Sequence, residues 1–328
     1  MGSRTITFIQ AINEALHEEF ARDPKVFLLG EDIAYGGVFK ATDGLADKFG
    51  EERIIDSPLA EAIIIGACTG ASLVGMNPIA EIQFADFITP AMDQIIQNVA
   101  KLRYRSAGTF KPHLTIRICC GGGVGGGLYH SQENAAWFVH EPGLTVVMPS
   151  TPYDAKGLLK SAIRGEDPVL YFEHKKLYRS VRGEVPDEDY TVPIGKAAIR
   201  RPGTDLTVVT YGAMAHISLQ AAEAVAQKGI ACEVIDLRSL LPLDKETILT
   251  SIRKTNRVAV VHEDKRTMGI GAEIAALIAE EAFDDLDAPI ARITGPDIPI
   301  MPFSPPLEKF FMLDAATVAE GLEKLARY

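Results

Sequence analysis

The chain has 328 residues, of which 47% are hydrophobic and 23% are charged. This length suits two domains with sizeable cores, and this composition is typical of a soluble globular protein. The net charge of −11 disfavours nucleic acid or an anionic membrane as a partner, because both attract a basic surface.

The cysteines indicate neither a zinc site nor a disulfide framework. They form no Cys-x-x-Cys pair and no His/Cys ligand spacing, and two of them are adjacent: Cys68, Cys119, Cys120 and Cys232. A reducing compartment is the simplest inference. The first ten residues show no signal or transit pattern, so we expect a cytoplasmic location, with a processed organellar chain left open.

The first half of the chain alternates short apolar strands with helices. Strands are predicted at 25–29, 53–55, 78–84, 114–120, 144–148 and 169–173. Helices are predicted at 5–21, near 42–49, from Asp56-Ser57-Pro58 onward, at 90–105 and at 153–164. This alternation predicts an α/β domain with a mostly parallel sheet.

Charge and proline interrupt the pattern at 179–203, and a second βαβ series follows. Its predicted strands are 206–211, 231–237, 258–262 and 290–293, and its helices are 213–228, 244–254, 271–283 and 315–327. The proline-rich segment before the last helix is predicted to be irregular. We therefore predict two open α/β domains at 1–185 and 205–328, joined by a linker at 186–204.

Glu61 stands beside a long uncharged run, the nineteen residues Ala62–Ala80. A partly desolvated carboxylate favours its protonated form and is suited to exchanging protons. The alternative is a first-turn glutamate that faces solvent and complements the helix dipole. Asn77, Pro78 and the glycines argue that the run is a buried helix and strand rather than a membrane span.

Six of the seven residues 121–127 are glycine, so the match to G-x-G-x-x-G is weak evidence for a dinucleotide site. The segment allows close backbone approach and delivers His130, whose imidazole is a candidate general acid or base. An ordinary surface histidine is the alternative.

Polar and aromatic residues follow two predicted strands. Glu31 follows the first strand, and Gln83-Phe84-Ala85-Asp86-Phe87 closes a later one. Open α/β sheets bind ligands at the carboxyl ends of their strands. Phe84 and Phe87 could wall a ring-shaped ligand or be plain core.

Several of these segments together resemble one family. GEDIAYGGVF, RIIDSPLAEAIIIG, AEIQFADFITPAMDQI, KLRYRS, GGGLYHSQ, PYDAKGLLKSAIR and EVIDLRSLLPLD are similar to the beta subunit of the thiamine-diphosphate-dependent 2-oxoacid dehydrogenases, and most similar to the branched-chain type. The resemblance implies a thiamine-diphosphate pyrimidine-binding domain followed by a transketolase carboxyl-terminal domain.

The resemblance also implies roles for particular residues. Glu61 would hydrogen-bond the aminopyrimidine ring and promote its imino tautomer, and His130 would meet the substrate and the lipoyl group. Further cofactor contacts would come from Glu31, Leu59, Ala60, Gln83 and Phe87. Phe84, Ala85 and Asp86 would line the substrate region.

Ions and partners follow from the same resemblance. The chain lacks the GDG…N motif that holds Mg²⁺ and diphosphate, so an alpha subunit would supply it in an α₂β₂ assembly. A lipoyl-bearing acyltransferase would receive the acyl group from the 2-oxoacid. A potassium ion would bind near Leu114, Thr115, Ala162, Ile163 and Asp167, although Gly165 replaces a common aspartate there.

The leading hypothesis is therefore a 3-methyl-2-oxobutanoate dehydrogenase subunit. A pyruvate or acetoin dehydrogenase beta subunit is the alternative of the same chemistry. A catalytically silent assembly scaffold is the alternative from another class, which intact Glu61 and His130 disfavour.

Overall fold

The computed structural model describes residues 2–328, in two compact units. The first unit runs to Cys120 and resumes at Trp137–Ile194, and the second comprises Gly121–Ala136 and Gly195–Tyr328. The glycine-rich segment 121–127 therefore belongs to the second unit. The division predicted from the sequence, 1–185 and 205–328, places it in the first domain. Backbone N–H groups of the segment bond to side chains of Glu263 and Glu308, which explains its place in the second unit.

A parallel sheet forms the centre of the first unit. Its strands run in the order β6-β7-β5-β4-β2-β3, while β1 pairs antiparallel with β8. The strands are β1 (Ser3–Thr7), β2 (Val26–Gly30), β3 (Ile54–Asp56), β4 (Asn77–Ile82), β5 (Thr115–Cys120), β6 (Thr145–Val147), β7 (Val169–His174) and β8 (Arg182–Pro186).

Helices connect these strands. They are α1 (Phe8–Arg22), α2 (Leu45–Phe49), α3 (Glu61–Leu73), α4 (Ala100–Arg105), α5 (Ala136–Val139), α6 (Pro152–Arg164) and α7 (Leu177–Ser180). The helix predicted at 90–105 is a succession of a 3₁₀ segment at Ala85–Ala91, a π segment at Gln94–Val99 and α4. Such π segments often lie at functional sites.

Two predicted helix starts are wrong. Residues 5–7 belong to β1, and α1 begins after Thr7, which forms a capping box with Gln10. Helix α3 begins at Glu61 rather than at Pro58, with Ala60 at the N-cap. The expected cap, Asp56, instead accepts a hydrogen bond of 2.9 Å from the backbone N–H of Ala34.

The second unit has a five-stranded sheet in the order β14-β13-β10-β11-β9, in which only β9 is antiparallel to its neighbour. Its strands, with the short β12, are β9 (Ala198–Arg201), β10 (Leu206–Thr210), β11 (Cys232–Asp236), β12 (Ser239–Leu241), β13 (Val258–Lys265) and β14 (Ala291–Gly295). Its helices are α8 (Ala213–Ala226), α9 (Lys245–Thr255), α10 (Ile270–Glu281), α11 (Pro305–Phe311) and α12 (Ala315–Ala326).

Two segments predicted to be irregular contain regular structure. Strands β8 and β9 lie within 179–203, each paired with a strand distant in sequence. The proline-rich segment near residue 300 contains α11, which begins with two prolines in its first turn. Within residues 2–328, no helix is both long enough and apolar enough to cross a membrane.

Candidate active site

The first group of candidate residues lies at one edge of the first sheet. Glu31 follows β2 and Gln83 follows β4, and these strands are parallel neighbours. Carboxyl ends of parallel strands share an edge, so the fold brings these side chains to the same side. The thiol of Cys119, at the end of β5, donates a hydrogen bond to the backbone carbonyl of Gln83.

Glu31 has an unusual environment for a carboxyl group. Its side chain is 5% exposed, and its Oε1 is buried without a hydrogen-bond partner. Burial, followed by the negative charges of Glu61, Asp32 and Glu81, raises its pKa to about 7. The protonated form is therefore well populated near neutral pH, where Glu31 can donate a hydrogen bond.

Glu61 is the first residue of α3 and is half-buried. Its negative charge is one of the causes that raise the pKa of Glu31. Of the two preceding residues, Ala60 is half-buried, whereas Leu59 is 81% exposed.

An aromatic cluster follows β4. The ring of Phe84 packs edge-on against Phe39 and Phe87, with centroids 5.9 and 6.4 Å apart. Lys175 Nζ lies 5.7 Å from the Phe84 centroid. Ala85 is buried and Asp86 is half-buried. Phe84 is thus partly core, whereas Phe87 is 36% exposed and leaves part of its ring accessible.

A buried ionic network behind this edge was not found by the sequence analysis. Arg117 donates to Glu173 from Nε at 2.7 Å and from Nη2 at 2.9 Å, and it also donates to Glu81. Tyr178 donates to Glu173 at 2.7 Å. With Gln83 and others, these residues line a cavity of about 10 Å³, which suits about one water molecule. The sequence signal for this network was the presence of a charged residue within each of the apolar strands β4, β5 and β7.

His130 belongs to the second unit and is half-buried on the loop 121–132. The backbone N–H of Gly121 donates to the carbonyl of Gln132 at 2.9 Å and joins the two ends of this loop. A Cβ at Gly126 would lie 2.8 Å from the His130 carbonyl oxygen, so only glycine permits this close approach.

Buried carboxyl groups lie beside this loop. Tyr211 donates to Glu133 at 3.0 Å, and burial, followed by the charge of Asp264, raises the pKa of Glu133 to about 8. Burial also raises the pKa of Asp264 to about 6. In the same region, burial lowers the pKa of His262 to about 4, which agrees with a structural role.

Oxygen atoms of the predicted potassium site have partners in this structure. The Leu114 carbonyl accepts from Val169 N–H at 3.0 Å, and the Ile163 carbonyl accepts from Asn77 at 3.0 Å. The carbonyl of Ala162 lies 3.4 Å from the N–H of Gly165, and the exposed carboxylate of Asp167 pairs with Arg103. Thr115 contributes a buried hydroxyl without a partner. Among residues 2–328, no cluster of three His, Cys, Asp or Glu side chains is arranged to hold a metal.

Family models define the class of protein. The model of the transketolase pyrimidine binding domain matches residues 4–181, and that of the transketolase C-terminal domain matches residues 195–318. A solved structure described as a split-gene transketolase, an inactive beta4 tetramer, is similar with a TM-score of 0.80. It is 27% identical, and the match covers 98% of each chain. The predicted fold, two α/β domains of this kind, is confirmed.

Individual relatives narrow the class. The 2-oxoisovalerate dehydrogenase subunit beta of Bacillus subtilis is 54% identical, and the match covers 98% of this chain and 99% of the relative. The pyruvate dehydrogenase E1 component subunit beta of Bacillus subtilis is 48% identical, with 91% and 92% covered. The chain belongs to the beta-subunit family of the thiamine-diphosphate-dependent 2-oxoacid dehydrogenases.

Proposed function

We propose that the chain, assembled with an alpha subunit, oxidatively decarboxylates a branched-chain 2-oxoacid and transfers the acyl group to a lipoyl group of an acyltransferase. The buried Glu31 beside Glu61, at the carboxyl edge of the first sheet, carries this proposal. A carboxyl group such as Glu31, which retains a proton near neutral pH, suits a site whose cofactor ring must exchange one.

The residues at this edge fit the aminopyrimidine end of thiamine diphosphate. Glu31 Oε1 and Gln83 Nε2 are buried polar atoms without partners, one an acceptor when ionised and the other a donor. An aminopyrimidine presents both amino donors and ring-nitrogen acceptors, and the partly exposed ring of Phe87 offers it an apolar surface. Bound thiamine diphosphate supplies an electron sink for the loss of CO₂.

The chain's own residues have separate tasks in this proposal. Glu61 would exchange a proton with the pyrimidine ring of the bound cofactor, and Glu31 would contact the same ring. Phe84, Ala85 and Asp86 shape the region that receives the 2-oxoacid. His130 supplies a proton to the lipoyl sulfur as the acyl group is transferred.

An exposed apolar surface on α3 supports assembly with other chains. The helix buries Ile64, Ile65 and Cys68, but Ile63 is 66% exposed, and Val74, just beyond the helix, is 81% exposed. With the exposed Ala67 and Gly70, which lie on the same helix face, they form a continuous stripe, and contiguous exposed apolar patches mark protein interfaces. We propose an α₂β₂ assembly in which the alpha subunit holds Mg²⁺.

Substrate preference, potassium and location are the finer parts of the proposal. The higher identity to the 2-oxoisovalerate enzyme supports a branched-chain substrate, while the pyruvate relative makes pyruvate the second candidate. The buried Thr115 hydroxyl supports a potassium site, although Asp167 is engaged by Arg103. Raising K⁺ at constant ionic strength, with Li⁺ as the control ion, should raise Tm if the site binds potassium.

Because some relatives are described as mitochondrial, the cytoplasmic location remains a prediction.

Titration calorimetry tests the shared cofactor site. We expect the purified alpha–beta assembly to bind thiamine diphosphate in a Mg²⁺-dependent manner and the isolated chain to bind it poorly. Tight Mg²⁺-dependent binding by the isolated chain would contradict the requirement for an alpha subunit.

A further inference from the structure

Two carboxylates of the second unit hold the glycine-rich loop by its backbone. Glu308 Oε1 accepts hydrogen bonds from the N–H groups of Gly123 and Gly125, at 3.0 and 3.1 Å. Glu263 Oε1 accepts one from Gly122 at 2.7 Å. Backbone N–H groups of one short segment thus converge on anionic oxygens, as they do in loops that bind anions.

The backbone conformation of the loop makes this convergence possible. Gly121, Gly123 and Gly125 have φ angles of 84°, 76° and 71°, in the left-handed region that favours glycine. From this conformation, the N–H groups of Gly123 and Gly125 both reach the same oxygen of Glu308. Charge-assisted hydrogen bonds of this kind are stronger than those between neutral groups.

The segment that carries Glu308 also covers the loop. A Cβ at Gly122 would lie 2.5 Å from Met301 Cε and 3.0 Å from Met312 Sδ. A Cβ at Gly127 would lie 2.4 Å from the ring of Phe303. These glycines therefore serve close packing, because a Cβ at Gly127 would push the Phe303 ring away and one at Gly122 would move the two methionine side chains.

This anchoring reaches His130 through the loop backbone. Gly126 lies against the His130 carbonyl, next to the bonded Gly125. The far end of the loop is also held: Lys265 Nζ lies 3.5 Å from the side-chain oxygen of Gln132. Movement of Gly123 to Gly126 would thus shift the peptide that bears the imidazole.

We propose that Glu308 is a positioning residue for His130 and that Glu263 supports it. The proposal rests on the role of His130 in lipoyl acylation given above. Glu308 lies in the first turn of α11, where an acidic side chain could merely complement the helix. The two N–H donors from the loop give it a second task that a helix-complementing glutamate would lack.

The test uses the alpha–beta assembly carrying Glu308→Ala, Glu308→Gln or the control Glu320→Ala, an exposed glutamate on α12. Amide hydrogen exchange of residues 121–127 is measured beside two rates, one with an artificial electron acceptor and one with a lipoyl domain. For Glu308→Ala we expect faster exchange at Gly123 and Gly125 and an acylation rate about tenfold lower. The artificial-acceptor rate and the KM for the 2-oxoacid should stay within about twofold.

Glu308→Gln should recover most of the acylation rate, because an acceptor oxygen remains, and the control should match the unchanged assembly. Unaltered exchange in Glu308→Ala would overturn the anchoring. Faster exchange with both rates unaltered would overturn the positioning role. If His130→Ala alone leaves acylation intact, it is the role of His130 that fails, and the exchange data still decide whether Glu308 anchors the loop.

Discussion

Arg117 and Glu173 are joined by two parallel hydrogen bonds, of 2.7 Å from Nε to Oε1 and 2.9 Å from Nη2 to Oε2. Both side chains are almost fully buried, and Glu81 accepts a third bond from the same guanidinium. The guanidinium of Arg117 on β5 thus bridges Glu173 on β7 and the half-buried Glu81 on β4, directly behind Gln83.

Arg117→Met should strongly destabilise the first unit. The substitution leaves Glu81 and Glu173 buried without their cation, and removing one partner of a buried ion pair costs about 3–5 kcal/mol. The matched control is Arg103→Met, which breaks an exposed pair with Asp167 and should cost no more than about 1 kcal/mol. Urea denaturation of both variants gives the comparison, and similar small losses would show that the network contributes little to stability.

Glu61→Ala should leave fold and assembly intact and reduce turnover by about 10²- to 10⁴-fold, the range for loss of a general acid or base. The reason is its half-buried position beside Glu31, where it would exchange a proton with the cofactor ring. The exposed Glu51→Ala serves as the control. Near-normal turnover by a correctly assembled Glu61→Ala variant would remove Glu61 from the proposed site.

Glu31 should make stability fall as pH rises. Burial and its acidic neighbours raise its folded-state pKa from 4.5 to about 7. Its contribution is therefore fully present below pH 4.5 and is lost as the pH rises through 7, because the folded protein binds the proton more tightly than the unfolded chain. Denaturation of the chain and of Glu31→Gln at pH 5 to 8 should show the variant gaining relative stability with pH. A constant difference would mean that Glu31 has an ordinary pKa.

His130→Ala should impair lipoyl acylation more than decarboxylation. Loss of CO₂ relies mainly on the cofactor, whereas the departing lipoyl sulfur needs a proton donor. We expect a loss of about 10²-fold or more with a lipoyl domain and less than about tenfold with an artificial acceptor. The exposed His140→Ala is the control. Equal losses in both assays would assign His130 to substrate binding or decarboxylation, and full activity in both would make it an ordinary surface histidine.

Much of the fold could be predicted from local pattern, because apolar strands such as Val169–His174 and helices such as Pro152–Arg164 are locally encoded. Prediction from local pattern was wrong where a contact with a residue distant in sequence determines the local structure. Asp56 looked like a helix cap, but the N–H of Ala34 engages it. Residues 5–7 became strand because they pair with residues 182–184.

The candidate site residues could be named from the family resemblance. The contacts that surround them could not be predicted from the sequence. Glu31 and Glu61 could be named from sequence, yet the burial that raises the pKa of Glu31 is a property of the folded sheet. Glu308 accepts a hydrogen bond from Gly123, which is 185 positions away in sequence. Hydrophobic periodicity describes local structure and cannot predict a contact over such a distance. Arg117 was visible as a charge within the apolar strand TIRICC, but its partners were not.

The most direct measurement compares 2-oxoacids of different size in the presence of a lipoyl domain. The chain is co-expressed with its alpha subunit, and acyl-lipoyl formation is measured with 3-methyl-2-oxobutanoate and with pyruvate. We expect turnover only in the assembly, with the higher kcat/KM for the branched-chain acid. A correctly assembled, cofactor-loaded enzyme that forms no acyl-lipoyl product from either acid would contradict the proposed function, and a preference for pyruvate would contradict the proposed substrate.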